Sequence, residues 1–351
     1  MSEPWYCTRE SVMDALDARP SARMHALVDR AIAAGARSVD ELCKRIFAPT
    51  VVTWYFDWPN DQLAASWRLW LDNKELISVT SLTSGGVAIP AASYNLEPNR
   101  SGPPYNRIEI KLSTSAAFGG GATPQQDITV VGLGGYTNVE ESVGTLAANL
   151  GALSTDTATV TWTTARVGVG DIFRIDAERM IVTARTWVDS TQNLGGPGLA
   201  ASAADVSVPV TTGSAFAAEE ILLVGSEQML VTDVAGNTLT VKRAWNGSVL
   251  AVHATGADLY TLTGVQLERG ALGTTAAAHL QNAVIYRWVP PPLVRDLNQA
   301  EAENTVLQQT SGYARTVGSG EAERQASGAG LEDARKRCLY AHGRRARTRV
   351  V

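Results

Sequence analysis

Glu178-Arg179-Met180-Ile181-Val182-Thr183 returns, 49 residues later, as Glu227-Gln228-Met229-Leu230-Val231-Thr232. Further along, Arg243, Gly247, His253 and Tyr260 match Arg269, Gly273, His279 and Tyr286 at a constant offset of 26. The two offsets differ, and the difference carries the reading. One unit is continuous, from about Asp205 to Leu262. The other is split, with its first half before residue 187 and its second half after residue 263. This is the pattern of a β-module inserted into its own duplicate, 205–262 inside a split copy made of 145–186 and 264–288. Each half of the split copy is too short to hold a core alone, so the copy closes only if Thr186 and Thr263 lie close in space.

On either side of this duplicated region the pattern changes. Between 51 and 140 the residues alternate with a period of two and are broken by Gly- and Pro-rich loops. Leu76-Ile77-Ser78-Val79-Thr80-Ser81-Leu82-Thr83, Arg107-Ile108-Glu109-Ile110 and Asp127-Ile128-Thr129-Val130-Val131 read as strands of a small antiparallel β-domain. Residues 1–50 read as three short helices. Thr8 caps the first, Gly35 closes the second, and a capping box from Ser38 to Glu41 opens the third. After Pro290-Pro291-Pro292 the helical period returns over 290–312. Glycines then punctuate a connection that leads into a basic C-terminal arm, 313–351. The predicted fold class is α+β: a helical bundle of N- and C-terminal helices, interrupted by an antiparallel β-domain and the nested β-modules.

The 351 residues are 45% hydrophobic, with a mean hydropathy of -0.05, enough to bury a core. Charged residues are 19%, below the usual ~25%. No basic-then-apolar leader and no apolar run of about 18 residues appears, which argues against a secreted precursor or a membrane span. Cys7, Cys43 and Cys338 form neither a disulfide framework nor a CxxC pair and read as free thiols. The net charge of -5 is uneven. Leu331 to Val351 carries +5, through Arg335, Lys336, Arg337, Arg344, Arg345, Arg347 and Arg349 against Glu332 and Asp333, so the rest carries -10. A basic arm on an acidic body points to a negatively charged partner or to a solvated tail.

The sequence offers little reactive chemistry. His25, His253, His279 and His342 make no HExxH or HxH pattern, and no Cys stands at metal-ligand spacing. His253 and His279 share one repeat position and read as packing residues of their own modules. Gly119-Gly120-Gly121 and Gly132-Leu133-Gly134-Gly135 lack the lysine of a phosphate loop and the helix of a dinucleotide fingerprint, and read as a strand end and turn. Asp171, Asp176 and Glu178 could be offered as paired carboxylates or a calcium loop. The second copy has Gly225 where the first has Asp176, so solvated strand residues are the expectation. Trp67-Arg68-Leu69-Trp70 is the nearest approach to a nucleic-acid stacking platform, and packing is the better reading. No catalytic residue, metal or cofactor is predicted.

The order of elements resembles a family. Short N-terminal helices ending in Arg45-Ile46-Phe47 lead into Leu76–Thr83, Tyr94-Asn95-Leu96 and Asp127–Val130, followed by a return to helix. This is similar to the head-to-tail adaptor (head–tail connector) proteins of long-tailed double-stranded DNA phages, over residues 1–135 and 290–312. The resemblance implies a non-enzymatic structural protein of the virion neck, made in the host bacterial cytoplasm. Copies would form a ring, usually twelve-fold, under the portal protein. The ring would extend the channel through which double-stranded DNA passes without specific binding. It would also offer a docking surface to a stopper, tail-completion or tail-terminator protein, with no membrane involved. An acidic body suits such a channel, because a lumen that gripped phosphates would retard ejection. The basic residues of 331–351, Arg335 to Arg349, are then the expected portal-binding arm, ordering on assembly. The runner-up is a tail or baseplate protein that binds carbohydrate or a receptor through the β-modules. A hydrolase using Asp176 and Glu178, and a DNA-binding protein working through the tail, rank below it.

Overall fold

The computed structural model describes residues 3–58, 65–151, 157–162, 167–310, 316–317, 324–325 and 329–344. It has the mixed α+β architecture read from the sequence: N- and C-terminal helices pack together, and antiparallel sheets lie between them in the chain.

Among the described residues four helices make the terminal unit: α1 (Arg9–Ala15), α2 (Ala22–Cys43), α3 (Pro292–Thr310) and α4 (Ala329–His342). Thr8 Oγ1 accepts from the Ser11 N–H and Ser21 Oγ from the Met24 N–H, each taking up one orphan donor of a helix start. The N-terminal region holds two helices and not three. Neither Gly35 nor the Ser38 capping box interrupts α2, because tertiary packing overrides both signals. A Cβ on Gly35 would lie 2.7 Å from Asn298 Nδ2 and 3.2 Å from the Asn298 carbonyl oxygen, so the glycine is where α3 crosses α2 closely. The helix ends instead at Lys44, whose left-handed backbone (φ 53°) lets Lys44 and Arg45 return N–H bonds to Glu41 and Asp40.

Asn298 fastens the two chain ends together. It is fully buried, accepts from the Tyr6 N–H at 3.0 Å and donates to the Ile32 carbonyl at 3.0 Å. The core around it joins Tyr6, Val39, Cys43, Phe47, Leu297 and Cys338 to Ile172, Ile181 and Trp288 from the large sheet. The helices therefore share one core with the β-modules.

The small β-domain comprises β1 (Thr50–Phe56), β2 (Arg68–Trp70), β3 (Leu76–Ser84), β4 (Val87–Ala88), β5 (Tyr94–Glu97), β6 (Arg107–Ile110) and β7 (Ile128–Gly134). A sheet of order β1-β7-β3-β4 and another of order β2-β6-β5 close over Phe56, Leu69, Leu82, Ile108, Ile128 and Val130. Gly134 ends β7, as read from the sequence, whereas Gly132 lies inside the strand. A Cβ on Gly132 would sit 2.1 Å from the Ser78 carbonyl oxygen, beside the irregular register of β3.

The large sheet is built of β8 (Glu140–Leu146), β9 (Thr157–Trp162), β10 (Ile172–Ile175), β11 (Glu178–Asn193), β12 (Ser207–Pro209), β13 (Ile221–Val224), β14 (Glu227–Ala235), β15 (Thr238–Lys242), β16 (Asp258–Glu268) and β17 (Val284–Trp288). They form two fused barrels. The first closes in the order β11-β10-β17-β8-β9-β16 and back to β11. The second runs β11-β16-β13-β14-β15-β12 and closes where the Gly195 N–H donates to the Pro209 carbonyl at 2.7 Å. Closure leaves neither module a long free edge. Two strands are shared. The first part of β11 and the last part of β16 pair in one barrel (Ile181↔Glu268 to Thr186↔Gly264), and their other parts pair in the second (Val188↔Thr261 to Asn193↔Asp258).

The registers give the graft point. Thr186 pairs with Gly264, and 49 residues after the one and 26 before the other stand Ala235 and Thr238, which also pair. In the second barrel these two are joined by the turn Gly236-Asn237. In the first, residues 187–263 take the place of that turn. The cores correspond in the same way. Phe173, Met180, Val182, Leu267 and Ile285 in one barrel stand where Leu222, Met229, Val231, Val241 and Leu259 stand in the other.

No described helix is long and apolar enough to cross a membrane.

Candidate functional site

Each barrel carries one buried ionic cluster built the same way. At the start of β11, Glu178 accepts from Arg269 Nε and Nη2 (2.7 and 2.8 Å), from the Gly270 and Ala277 N–H groups (both 2.9 Å), and bonds His279 Nε2 at 2.8 Å. At the start of β14, Glu227 accepts from Arg243 Nε and Nη2 (2.7 and 2.8 Å), from the Ala244 and Ala251 N–H groups (both 3.0 Å), and bonds His253 Nε2 at 2.9 Å. The arginines return bonds to loop carbonyls, Gly151 and Ala277 in one barrel and Ala200, Asp205 and Ala251 in the other. Both glutamate side chains are 0% exposed.

This corrects the expectation for Glu178, which is no solvated strand residue. A buried carboxylate needs a full set of donors, and the bidentate guanidinium, two peptide N–H groups and an imidazole supply it. Burial pushes the Glu178 and Glu227 carboxyls up. The hydrogen bonds from Arg269 and Arg243 and from the loop N–H groups outweigh it, and both come to about 2. The cluster pins the loop between the last two strands of each barrel to a β-hairpin, β10–β11 in the first and β13–β14 in the second. All the carboxylate's acceptor positions are used, which leaves no lone pair for a substrate. The geometry is that of a lock.

The copies differ at one place. Asp176, at the turn before Glu178 and 75% exposed, bonds His279 Nδ1 at 2.9 Å, whereas Gly225 occupies its position beside His253. Asp171 is mostly covered, its side chain 12% exposed; its Oδ2 accepts from the Gly168 N–H and pairs with Arg287 at 3.4 Å. Burial raises its pKa against the pull of Arg287. Asp176 and Glu178 thus meet on the two nitrogens of one imidazole, His279, while Asp171 has partners of its own. No cluster of three or more metal-ligating side chains with a metal-holding arrangement occurs among the described residues.

The basic arm is partly placed. Helix α4 rests on α2 and α3 of its own chain, with Cys338 buried and its Sγ 3.8 Å from Cys43 Sγ. Arg335 pairs with Glu301 of α3 at 2.8 Å, and Lys336 with Glu332 one turn back at 2.8 Å. Arg337 is exposed on the same helix. The Arg344 N–H donates to the Cys43 carbonyl at the end of α2, and its guanidinium lies 3.4 Å from Glu75. Arg345, Arg347 and Arg349 lie outside the described residues. Residues 331–344 are therefore seated on the protomer, in contrast to an arm that orders only on assembly.

The chain matches no known family model, no curated protein and no solved structure.

Sequence reasoning had both halves of the ionic clusters in hand without joining them. Glu178 and Glu227 match at one offset, Arg269/Arg243 and His279/His253 at the other. Charged residues that recur in step in both copies of an apolar module are the signal for a buried partner.

The described residues also bound a cleft that sequence reasoning missed. It lies between α1 and the seam where the barrels meet, with a volume of about 680 Å³. Its walls come from α1, the start of α2, both barrels and the graft point itself, so only the folded chain brings them together.

Proposed function

We propose that this chain is a structural protein of the neck of a tailed double-stranded DNA phage. Copies of it form a ring that joins the portal to tail-completion proteins and extends the DNA channel. The observation that carries the reading is the convergence of the chain ends: α1 and α2 pack with α3 and α4 around Asn298, while the β-domain and the barrels are looped out between them. A unit whose chain ends close on one another is suited to repetition about an axis. The ionic clusters support a scaffold as well, since their reactive groups are consumed in holding loops. The exposed basic residues of α4, with Arg337 foremost, and the positions Arg345, Arg347 and Arg349 beyond it, are the proposed contact with acidic portal groups.

The test is negative-stain imaging of the purified protein alone and mixed with a portal. Rings, or collars on the portal, support the reading; monodisperse single protomers that ignore the portal overturn it. Removal of 345–351, which leaves the packed part of α4 intact, is expected to abolish portal attachment without unfolding the protomer.

A further inference from the structure

We propose that the cleft between α1 and the barrel seam is a binding site for a neutral saccharide. The site does not depend on where in a virion, or whether in one, the protein resides.

The cavity, at about 680 Å³, lies within the roughly 300–1,000 Å³ of small-molecule sites. Two indoles line it. Trp187 is the first residue past the graft point on β11, and Trp245 sits in the short turn after β15. Both are half-buried, so each keeps ring surface open. Lys242 Nζ lies 4.7 Å from the Trp245 ring centroid and holds that indole from outside. In the first barrel the position of Trp245 is taken by Ala271, buried under the helices. The indole is thus a feature of the cleft and not of the module.

The polar lining supplies both donors and acceptors. Gln228 and Asn246 are linked side chain to side chain at 3.0 Å beside Trp245. Glu10 and Glu220 face the cavity from α1 and from the loop before β13. Arg185 lies where its charge acts on both carboxylates, and it also donates to the Leu262 carbonyl at 2.6 Å. Burial raises both carboxyls above their ordinary range.

This chemistry selects among ligands. Acidic residues (Glu10, Asp14, Glu219, Glu220) outnumber basic ones (Arg9, Arg185), and Arg9 is held bidentately by Asp29 at 2.7 and 2.6 Å. Phosphates and sialylated or uronic sugars are therefore repelled. A purely apolar ligand would displace water from the carboxylates and amides of the lining and offer no hydrogen bond in exchange. A pyranose meets both demands: its axial C–H face stacks on an indole, and its hydroxyls donate to carboxylates while accepting from amide and guanidinium groups.

The experiment is saturation-transfer NMR on the full-length protein with methyl glycosides of glucose, galactose, rhamnose and N-acetylglucosamine. Each is present at about 10 mM, enough to half-fill even a site of that Kd. We expect transfer to ring protons of at least one sugar, and at least a tenfold loss of affinity in Trp187→Ala and in Trp245→Ala at unchanged unfolding midpoint. If an alanine variant fails to fold, Trp245→Leu and Glu220→Gln carry the same comparison. Absence of transfer from all four sugars overturns the proposal, as does transfer that is undiminished in folded cleft variants.

Discussion

Glu178 and Glu227 stand 49 residues apart in the chain and hold the same set of partners in two different barrels: an arginine through Nε and Nη2, two peptide N–H groups and a histidine Nε2. The equivalence is made by chain segments of unlike connectivity. In the second barrel all the partners come from one stretch, 227–253. In the first, Glu178 and its partners at 269–279 are separated by the whole of the other barrel.

Breaking either cluster leaves a buried guanidinium without its counter-charge. Glu227→Ala is expected to lower stability by about 3–5 kcal/mol, measured by urea unfolding. Glu178→Ala should lose a similar amount. A loss below about 1 kcal/mol in both would show that the clusters do not hold the barrels.

The same carboxylates set an acid limit. Their pKa falls from an ordinary carboxylate value of 4.5 to about 2 on folding. The stability that they contribute is therefore complete above about pH 4.5 and is lost as pH falls through about 2. Urea midpoints measured across that interval should fall in the wild type and fall less in Glu227→Gln. Equal slopes would contradict the assignment.

Gly35→Ala sets two effects against one another. Helix propensity alone favours alanine by about 1 kcal/mol. The contact of 2.7 Å to Asn298 Nδ2, backed by the Asn298 carbonyl oxygen at 3.2 Å, opposes it. Overpacking costs about 1–3 kcal/mol, so the net effect is a loss, and a higher melting temperature would refute the close crossing.

Residues 187–263 can be exchanged for a Gly-Asn turn joining Thr186 to Gly264. That is the connection Ala235 and Thr238 already make, in the same register. The shortened chain should fold cooperatively, with strand content retained in circular dichroism. A molten or insoluble product would mean that the first barrel needs the second in order to close.

The nesting was legible because two offsets in one chain admit few arrangements, and the convergence of the helical ends followed from the return of helical period after Pro290. Local signals failed where packing outweighed them. Gly35 and Ser38 mark a helix break by any local rule, yet α3 crosses at Gly35 and carries α2 through. Glu178 looked solvated because alternation places it on a strand face, and nothing near it in sequence announces Arg269. The cleft was beyond reach for the same reason: Trp187, Trp245 and Glu10 meet only through long-range contacts.

The two strands that run through both barrels have a mechanical consequence. Because β11 and β16 are paired along both barrels, there is no linker about which one barrel could swivel on the other. A pull along the strand axis loads the interstrand bonds together, in shear, instead of opening them one at a time. Tension applied to one barrel is therefore passed to the other through these two shared strands.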